Sequence, residues 1–359
     1  MSNELKYTIL GMMSGTSLDG LDLSLCQFNY KNCKWDYKIL ESKTIAYSIQ
    51  EKDWLQSLEK GSKAELNSGD ISFGKYLGEK AKEFITTSSF NPPDAIASHG
   101  HTIFHKPEVG ITFQAGRGNE IANATGIKTI CDFRQKDVSL GGQGAPLVPI
   151  GDLLLFNDSK CCLNLGGFAN VSVKSGNGIT AFDICPVNYV LNFLSKKEGF
   201  DFDESGDMSR SGIIDRELLN QLNEISFYQS QPPKSLSREW VEEIIYPILK
   251  KNNSSTIDQM STFTEHIAFQ ISRNLVPNEK TLVTGGGAYN TFLIELISDK
   301  TSNEILIGSA ELIEFKEAMI FAFLGALYLS RQNNCLASVT GAKRDSIGGI
   351  QLYPNQLIK

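Results

Sequence analysis

The sequence predicts an α/β protein built as two similar lobes, and three observations carry that reading. Apolar runs of strand length alternate with segments of helical periodicity over roughly the first hundred residues. The succession restarts at Cys161, where CCLNLGGFANVSVK again reads as strand, glycine turn and strand. The two openings also echo one another. GMMSGTSLDGLDLSLC (11–26) and CCLNLGGFANVSVKSG (161–176) are both hairpin-like, with small residues at the turn.

In chain order, KYTILGMM and LDLSLCQF read as strands and KWDYKILESKTIAYS as one or two more. EKDWLQSLEKG and LNSGDISFGKYLGEKAKEFITTS carry helical periodicity. PDAIASHG is a strand leading into a loop, GITFQAG a short strand, NEIANATG a helix and IKTICDF a strand. A polar, glycine-rich segment follows, RQKDVSLGGQGAPLVP, and the chain turns helical after its prolines in APLVPIGDLLLFN. After the restart, ITAFDIC is a third strand, and GIIDRELLNQLNEI, SREWVEEIIYPILKK and TIDQMSTFTEHIAFQISRNL are helices. EKTLVTGGGAYN is a buried strand ending in a glycine turn. TFLIELISD and FKEAMIFAFLGALYLSRQ are the closing helices. The expected division is an N-terminal lobe over 1–135 and a C-terminal lobe over 136–359, the last helix being able to pack back on the first lobe.

Two such lobes, each giving a small-residue turn to a shared central cleft, have the layout of the actin-like ATPase and sugar-kinase (ribonuclease H-like) fold. A doubly wound sheet is the competing layout. The 359 residues are 41% apolar and 21% charged, an ordinary globular balance. A formal charge of −7 argues against nucleic acid or an anionic membrane as the main partner. No apolar stretch is long enough to span a bilayer, and the start lacks the pattern of a secretory signal. Seven cysteines without a C-x-x-C pair are expected to be reduced, buried thiols, which points to the cytoplasm.

The first hairpin is neither a Walker A loop nor a dinucleotide fingerprint. Its hydroxyls at Ser14, Thr16 and Ser17 and its amides at Gly15 and Gly20 nevertheless offer donors to phosphate oxygens. Asp19 and Asp22 repel phosphate but suit a hydrated Mg²⁺ bridging to it. A tight turn rich in Ser, Gly and Asp is the competing structural reading. In TLVTGGGAYN the three glycines let backbone approach a ligand, while Asn290 is placed to cap the next helix. Asp183, at the end of an apolar strand, stands where a general base belongs, or where it caps a helix starting near Val187. SHGHTIFHKP gathers three of the four histidines, and its loop-like context favours hydrogen bonding to a polar ligand over a zinc site. In DFRQKDVSLGGQGAPLVP, Arg134 is the natural partner of a substrate carboxylate.

Together these segments resemble the anhydro-N-acetylmuramic acid kinase family. The match runs in order through GMMSGTSLDGLD, SHGHT with HKP, CDFRQKDVSLGGQGAPLVP, NLGGFANVS, FDICPVN, PPKSLSRE, TGGGAYN, EFKEAMIFAFLG and SVTGA. The resemblance implies the actin-like fold, a homodimer and a cytoplasmic role in recycling cell-wall peptidoglycan. It implies a reaction in which ATP and water convert 1,6-anhydro-N-acetylmuramic acid into N-acetylmuramic acid 6-phosphate. Asp183 matches the family's base. Gly15, Thr16, Ser17, Leu18, Asp19, Gly20, Leu21 and Asp22 match its ATP phosphate motif, with Mg²⁺ at Asp19 and Asp22. Gly166 and Gly167 form a second phosphate hairpin, and Gly285, Gly286, Gly287 and Asn290 the nucleotide-side turn. His99, Thr102, Arg134, Gln143, Gly144, Asn170 and Glu317 are the implied sugar contacts. The sequence departs from the family's usual pattern at Ile184 and Cys185, at His101 for a glutamine, and after P-L-V-P, which continues as I-G-D (150–152) where F-H commonly follows. Two alternatives stay open, an actin-like amino-sugar kinase without ring cleavage and, motivated by Cys185, a catalytically impaired nucleotide-binding homologue.

Overall fold

The computed structural model describes residues 4–176 and 178–355. Its strands are β1 (Leu5–Ser14), β2 (Gly20–Lys31), β3 (Lys34–Ala46), β4 (Ala95–Lys106), β5 (Ile111–Ala115), β6 (Thr129–Cys131), β7 (Cys161–Leu165), β8 (Phe168–Ser175), β9 (Gly178–Pro186), β10 (Lys280–Thr284), β11 (Glu304–Ile307) and β12 (Ile350–Leu352). They form two sheets, and the chain forms two compact units. The first takes the chain up to Leu155 and again from Phe315; the second is Phe156–Glu314.

In the first unit the strand order is β12-β6-β4-β1-β2-β3, with β5 added to β4. β1, β2 and β3 are an antiparallel meander, β4 runs parallel to β1, and β6 parallel to β4. The second unit has the order β11-β10-β7-β8-β9. Again its first three strands are an antiparallel meander, and β10 and β11 continue in parallel from β7. Both units therefore repeat one ribonuclease H-like arrangement, as the echo between the hairpins predicts, and the competing single doubly wound sheet is absent from the described residues.

Parallel neighbours need long crossovers, which the helices supply. Lys63–Thr87, between β3 and β4, starts at a Ser62/Glu65 capping box and buries Phe73, Leu77, Ala81 and Phe84, a spacing of three and four residues. With Leu10, Met12, Leu21 and Leu23 these side chains form the core on one face of the first sheet. The helix Ala310–Leu329 covers the same sheet at Gly11, where a Cβ would lie 1.9 Å from the carbonyl oxygen of Ala318. Only glycine permits that approach. The second unit's core joins Leu163, Val171, Ile184 and Cys185 of its sheet to Val190, Phe263 and Ile267 of its helices.

The structure departs from the sequence reading in several places. β3 is one strand, and β4 runs on through the histidines to Lys106 instead of ending in a loop. The polar segment after β6 carries a short helix, Gln135–Ser139. The first unit extends past residue 135 to Leu155 and includes the whole C-terminal stretch from Phe315. Six of the seven cysteines are buried, but Cys33 is exposed. Among the described residues no helix is long and apolar enough to cross a membrane.

Candidate active site

In the first unit the β1–β2 hairpin turns through Gly15–Asp19. The Leu18 N–H donates to the Gly15 carbonyl at 3.1 Å. Leu18 has φ +59° and buries its side chain in the core, and Leu21 is buried too, so at both positions only the main chain can face a ligand. That anchoring leaves Thr16, Ser17 and Asp19 exposed. Ser14 behaves otherwise. Its hydroxyl is buried, accepting from Tyr47 Oη at 2.8 Å and lying 3.0 Å from His101 Nδ1. Ser14 therefore holds the hairpin from beneath instead of offering a donor to phosphate. His101, where the family usually has glutamine, keeps a hydrogen bond. Tyr47 also donates its N–H to the Asp19 carbonyl at 3.3 Å, fastening both ends of the turn. Asp22 accepts from Thr44 Oγ1 at 2.6 Å through Oδ1.

The same unit brings together His99, Arg134, Gly144 and Glu317. His99 Nδ1 lies 2.9 Å from the Gly100 carbonyl, which can only accept, so Nδ1 carries the proton. Its Nε2 accepts from Arg134 at 3.1 Å (Nε) and 2.9 Å (Nη2). Burial first and the Arg134 charge second hold the ring well below the usual histidine range. Arg134 Nη1 donates to the Gly144 carbonyl at 2.8 Å, and burial lowers the guanidinium to about 10, still a cation at neutral pH. Glu317 is exposed, yet crowding by surrounding protein pushes its carboxyl up; Arg134 opposes this and Asp22 adds to it. Gln143 is exposed, while Thr102 sits opposite Gln114 on the β4–β5 ladder. Among the described residues the histidines form no group that could hold a metal ion, and His105 Nδ1 faces Thr112 Oγ1 at 3.0 Å. The I-G-D departure has a local partner, because buried Asp152 pairs with buried Lys316 at 2.8 Å, beside Glu317.

In the second unit Asp183 lies opposite Asn170, whereas Cys185 lies opposite Ala169. Ile184 is thus the extra residue of a β-bulge, a device that re-aims the neighbouring side chain. Asp183 Oδ2 accepts from the Leu236 N–H at 2.8 Å, and its own N–H donates to the Lys234 carbonyl at 3.1 Å. The PPKSLSRE segment therefore clasps it. Burial raises the carboxyl above the usual aspartate range and the Leu236 N–H partly offsets this. The helix-capping alternative fails, as the helix Asn188–Lys197 has no side-chain cap. Its first N–H groups go instead to the Gly166 and Gly167 carbonyls. Ile184 and Cys185, the two departures beside Asp183, are both fully buried in the core.

The glycine turn after β10 packs on the end of β7. At Gly285, with φ +80°, a Cβ would lie 2.7 Å from Asn164 Oδ1 and 2.9 Å from the Leu165 backbone. Gly286 borders open space. Asn290 caps the helix Thr291–Lys300, accepting from the Leu293 N–H at 2.9 Å. Gly286, Gly287 and Asn290 line a cavity of about 600 Å³ with Asn188, Phe202 and Tyr289, a size in the range of small-molecule sites. Phe202 and Tyr289 leave 59% and 47% of their surface exposed there. Sequence reasoning missed both rings, and it missed the clasp on Asp183, which joins residues more than fifty positions apart.

The family model of anhydro-N-acetylmuramic acid kinase matches residues 7–354. The chain is 33% identical to the anhydro-N-acetylmuramic acid kinase of Francisella tularensis subsp. novicida over 98% of this chain and 100% of that protein. It is 34% identical to the enzyme of the same name from Aliivibrio fischeri, over 96% and 98%. Among solved structures, an activator of 2-hydroxyisocaproyl-CoA dehydratase from Clostridium difficile matches at 14% identity and TM-score 0.39, over 90% and 97% of the two chains. A ROK family glucokinase from Streptomyces griseus, in complex with glucose and AMPPNP, matches at 10% identity and TM-score 0.37, over 88% and 98%. A family match over nearly all of its length, together with relatives above 30% identity covered almost end to end, shows that this chain belongs to the anhydro-N-acetylmuramic acid kinase family.

Proposed function

We propose that Asp183 is the base that activates water for attack on C1 of 1,6-anhydro-N-acetylmuramic acid. The chain is an ATP-dependent kinase that opens this sugar and phosphorylates O6, giving N-acetylmuramic acid 6-phosphate and ADP in cell-wall recycling. The water oxygen bonds to C1 as its proton passes to Asp183, and the C1–O6 bond breaks. O6 keeps that electron pair and bonds to the γ-phosphorus, whose bond to the β,γ-bridging oxygen breaks. An inverting hydrolysis ordinarily needs a second carboxyl to protonate the leaving oxygen. Here the phosphoryl group takes that place, so one base suffices. The observation that carries the assignment is the carboxyl of Asp183, clasped by the Leu236 N–H and raised above the usual aspartate range by burial, which strengthens it as a base.

Thr16, Ser17 and the main chain of Gly15–Asp22 hold the ATP phosphates, with Gly166 and Gly167 as the second hairpin. The nucleoside lies against Gly285–Gly287 and Asn290. Exposed Asp19 and half-buried Asp22 suit a hydrated Mg²⁺, a cation that keeps several waters and takes one or two carboxylates. When bound, it neutralises phosphate charge. Arg134 pairs with the lactyl carboxylate, while His99, Thr102, Gln143, Gly144, Asn170 and Glu317 orient the sugar. The chain works in the cytoplasm as a homodimer; its mostly buried thiols suit a reducing compartment.

The test is a comparison of ADP release with the anhydro sugar and with ring-opened N-acetylmuramic acid. Turnover of the anhydro sugar is expected. Turnover of the ring-opened sugar alone would leave a plain amino-sugar kinase.

A further inference from the structure

SVTGA (338–342) has no part in the reaction as proposed, and neither does Asp137, a carboxylate with 0% of its surface exposed. The two meet. Asp137 Oδ1 accepts from Thr340 Oγ1 at 2.7 Å and Oδ2 from the Gly144 N–H at 2.8 Å. A Cβ on Gly142 would lie 2.2 Å from Oδ2, so glycine is what lets the loop fold over this carboxylate. Thr340 also accepts the Gln143 N–H at its carbonyl, 2.8 Å away, and the Lys343 N–H donates to the Leu140 carbonyl at 3.2 Å. The loop 140–144 is therefore fastened along its back to 340–343, with the Gln143 side chain left exposed. Gly144 is held at its N–H by Asp137 and at its carbonyl by Arg134.

We infer that Asp137 and Thr340 are positioning residues that hold Gln143, Gly144 and Arg134 in their sugar-binding geometry, making the C-terminal SVTGA segment part of the substrate-binding machinery. This rests on the proposed sugar-side role of those three residues. Gly141 and Gly144 have φ of +84° and +67°, so the loop has wide conformational freedom once released. A released loop must be re-ordered on binding, and that cost falls on the sugar and not on ATP.

The test is steady-state kinetics of T340V, which removes the hydroxyl and keeps the main-chain bond from Gln143. A hydrogen bond to a charged acceptor supports a rise of about tenfold in KM for the anhydro sugar. KM for ATP stays unchanged, and T340S, which restores the hydroxyl, returns the sugar KM to within about twofold of the native protein. An unchanged sugar KM in T340V, or an equal rise in both KM values, overturns the inference. If T340V fails to fold, T340A is read by the same criteria. If the native protein itself does not turn over the anhydro sugar, the proposed function falls and this inference with it.

Discussion

Replacing Asp183 by asparagine tests the base with little disturbance elsewhere. The side chain keeps its shape, and its amide oxygen can still accept from the Leu236 N–H, 2.8 Å from Oδ2. Exchanging a charged for a neutral acceptor weakens that bond by about 1 kcal/mol. Removing a carboxylate that burial already destabilises works in the opposite direction. Folding stability should therefore change by less than about 1 kcal/mol, a shift of a few degrees in Tm. Catalysis should change far more. A positioned general base contributes about 10²–10⁴-fold, so D183N loses about 3–5 kcal/mol of transition-state stabilisation. Coupled ADP release at saturating sugar and ATP gives kcat, and calorimetric titration with a non-hydrolysable ATP analogue gives nucleotide affinity, which should stay within about threefold. A D183N protein that folds and keeps kcat within about threefold of the native value refutes the assignment.

Three further outcomes follow from the same geometry. Because burial raises the Asp183 carboxyl, kcat/KM should fall as pH drops through a value above the ordinary aspartate pKa, and this acid limb should persist in E317Q; a limb at or below the ordinary value contradicts it. Y47F removes the hydroxyl that holds Ser14 beneath the hairpin, so KM for ATP should rise about three- to tenfold while the sugar KM stays, as separate titrations of the two substrates will read. G285A forces a Cβ to within 2.9 Å of the Leu165 backbone at φ +80° and should cost about 1–3 kcal/mol, measured by urea denaturation.

Both hairpins and the repeat of strand and helix were legible because they are written in local alternation and small turn residues. From the sequence alone, PDAIASHG is a strand leading into a loop. β4 continues because His99 and His101 find partners in Arg134 and Ser14, which no local pattern announces. β11 and β12 were missed as runs of four and three residues, too short to show a period. The division after residue 135 cut between Arg134 and Gly144, residues that one hydrogen bond joins. Contacts such as Gly11 with Ala318 and Asp137 with Thr340 draw the C-terminal stretch into the first unit across most of the chain. Asp183 was visible as a carboxylate at a strand end, but neither its bulge nor its clasp by Lys234 and Leu236 has a local signature. The departure at Ile184 and Cys185 is visible in the sequence, but that both side chains belong to the core is not, since their burial depends on helices distant in the chain.

In the proposed reaction water attacks C1 while O6 leaves to phosphorus. Incubation with Mg-ATP and the anhydro sugar in ¹⁸O-water tests it most directly. The reaction is quenched rapidly and the product fragmented by mass spectrometry, beside a control of unlabelled product held in the same water. One ¹⁸O at C1 beyond the control is expected, with O6 and the phosphate oxygens unlabelled. Label in the phosphate, or a phosphorylated product with its anhydro ring intact, would contradict it.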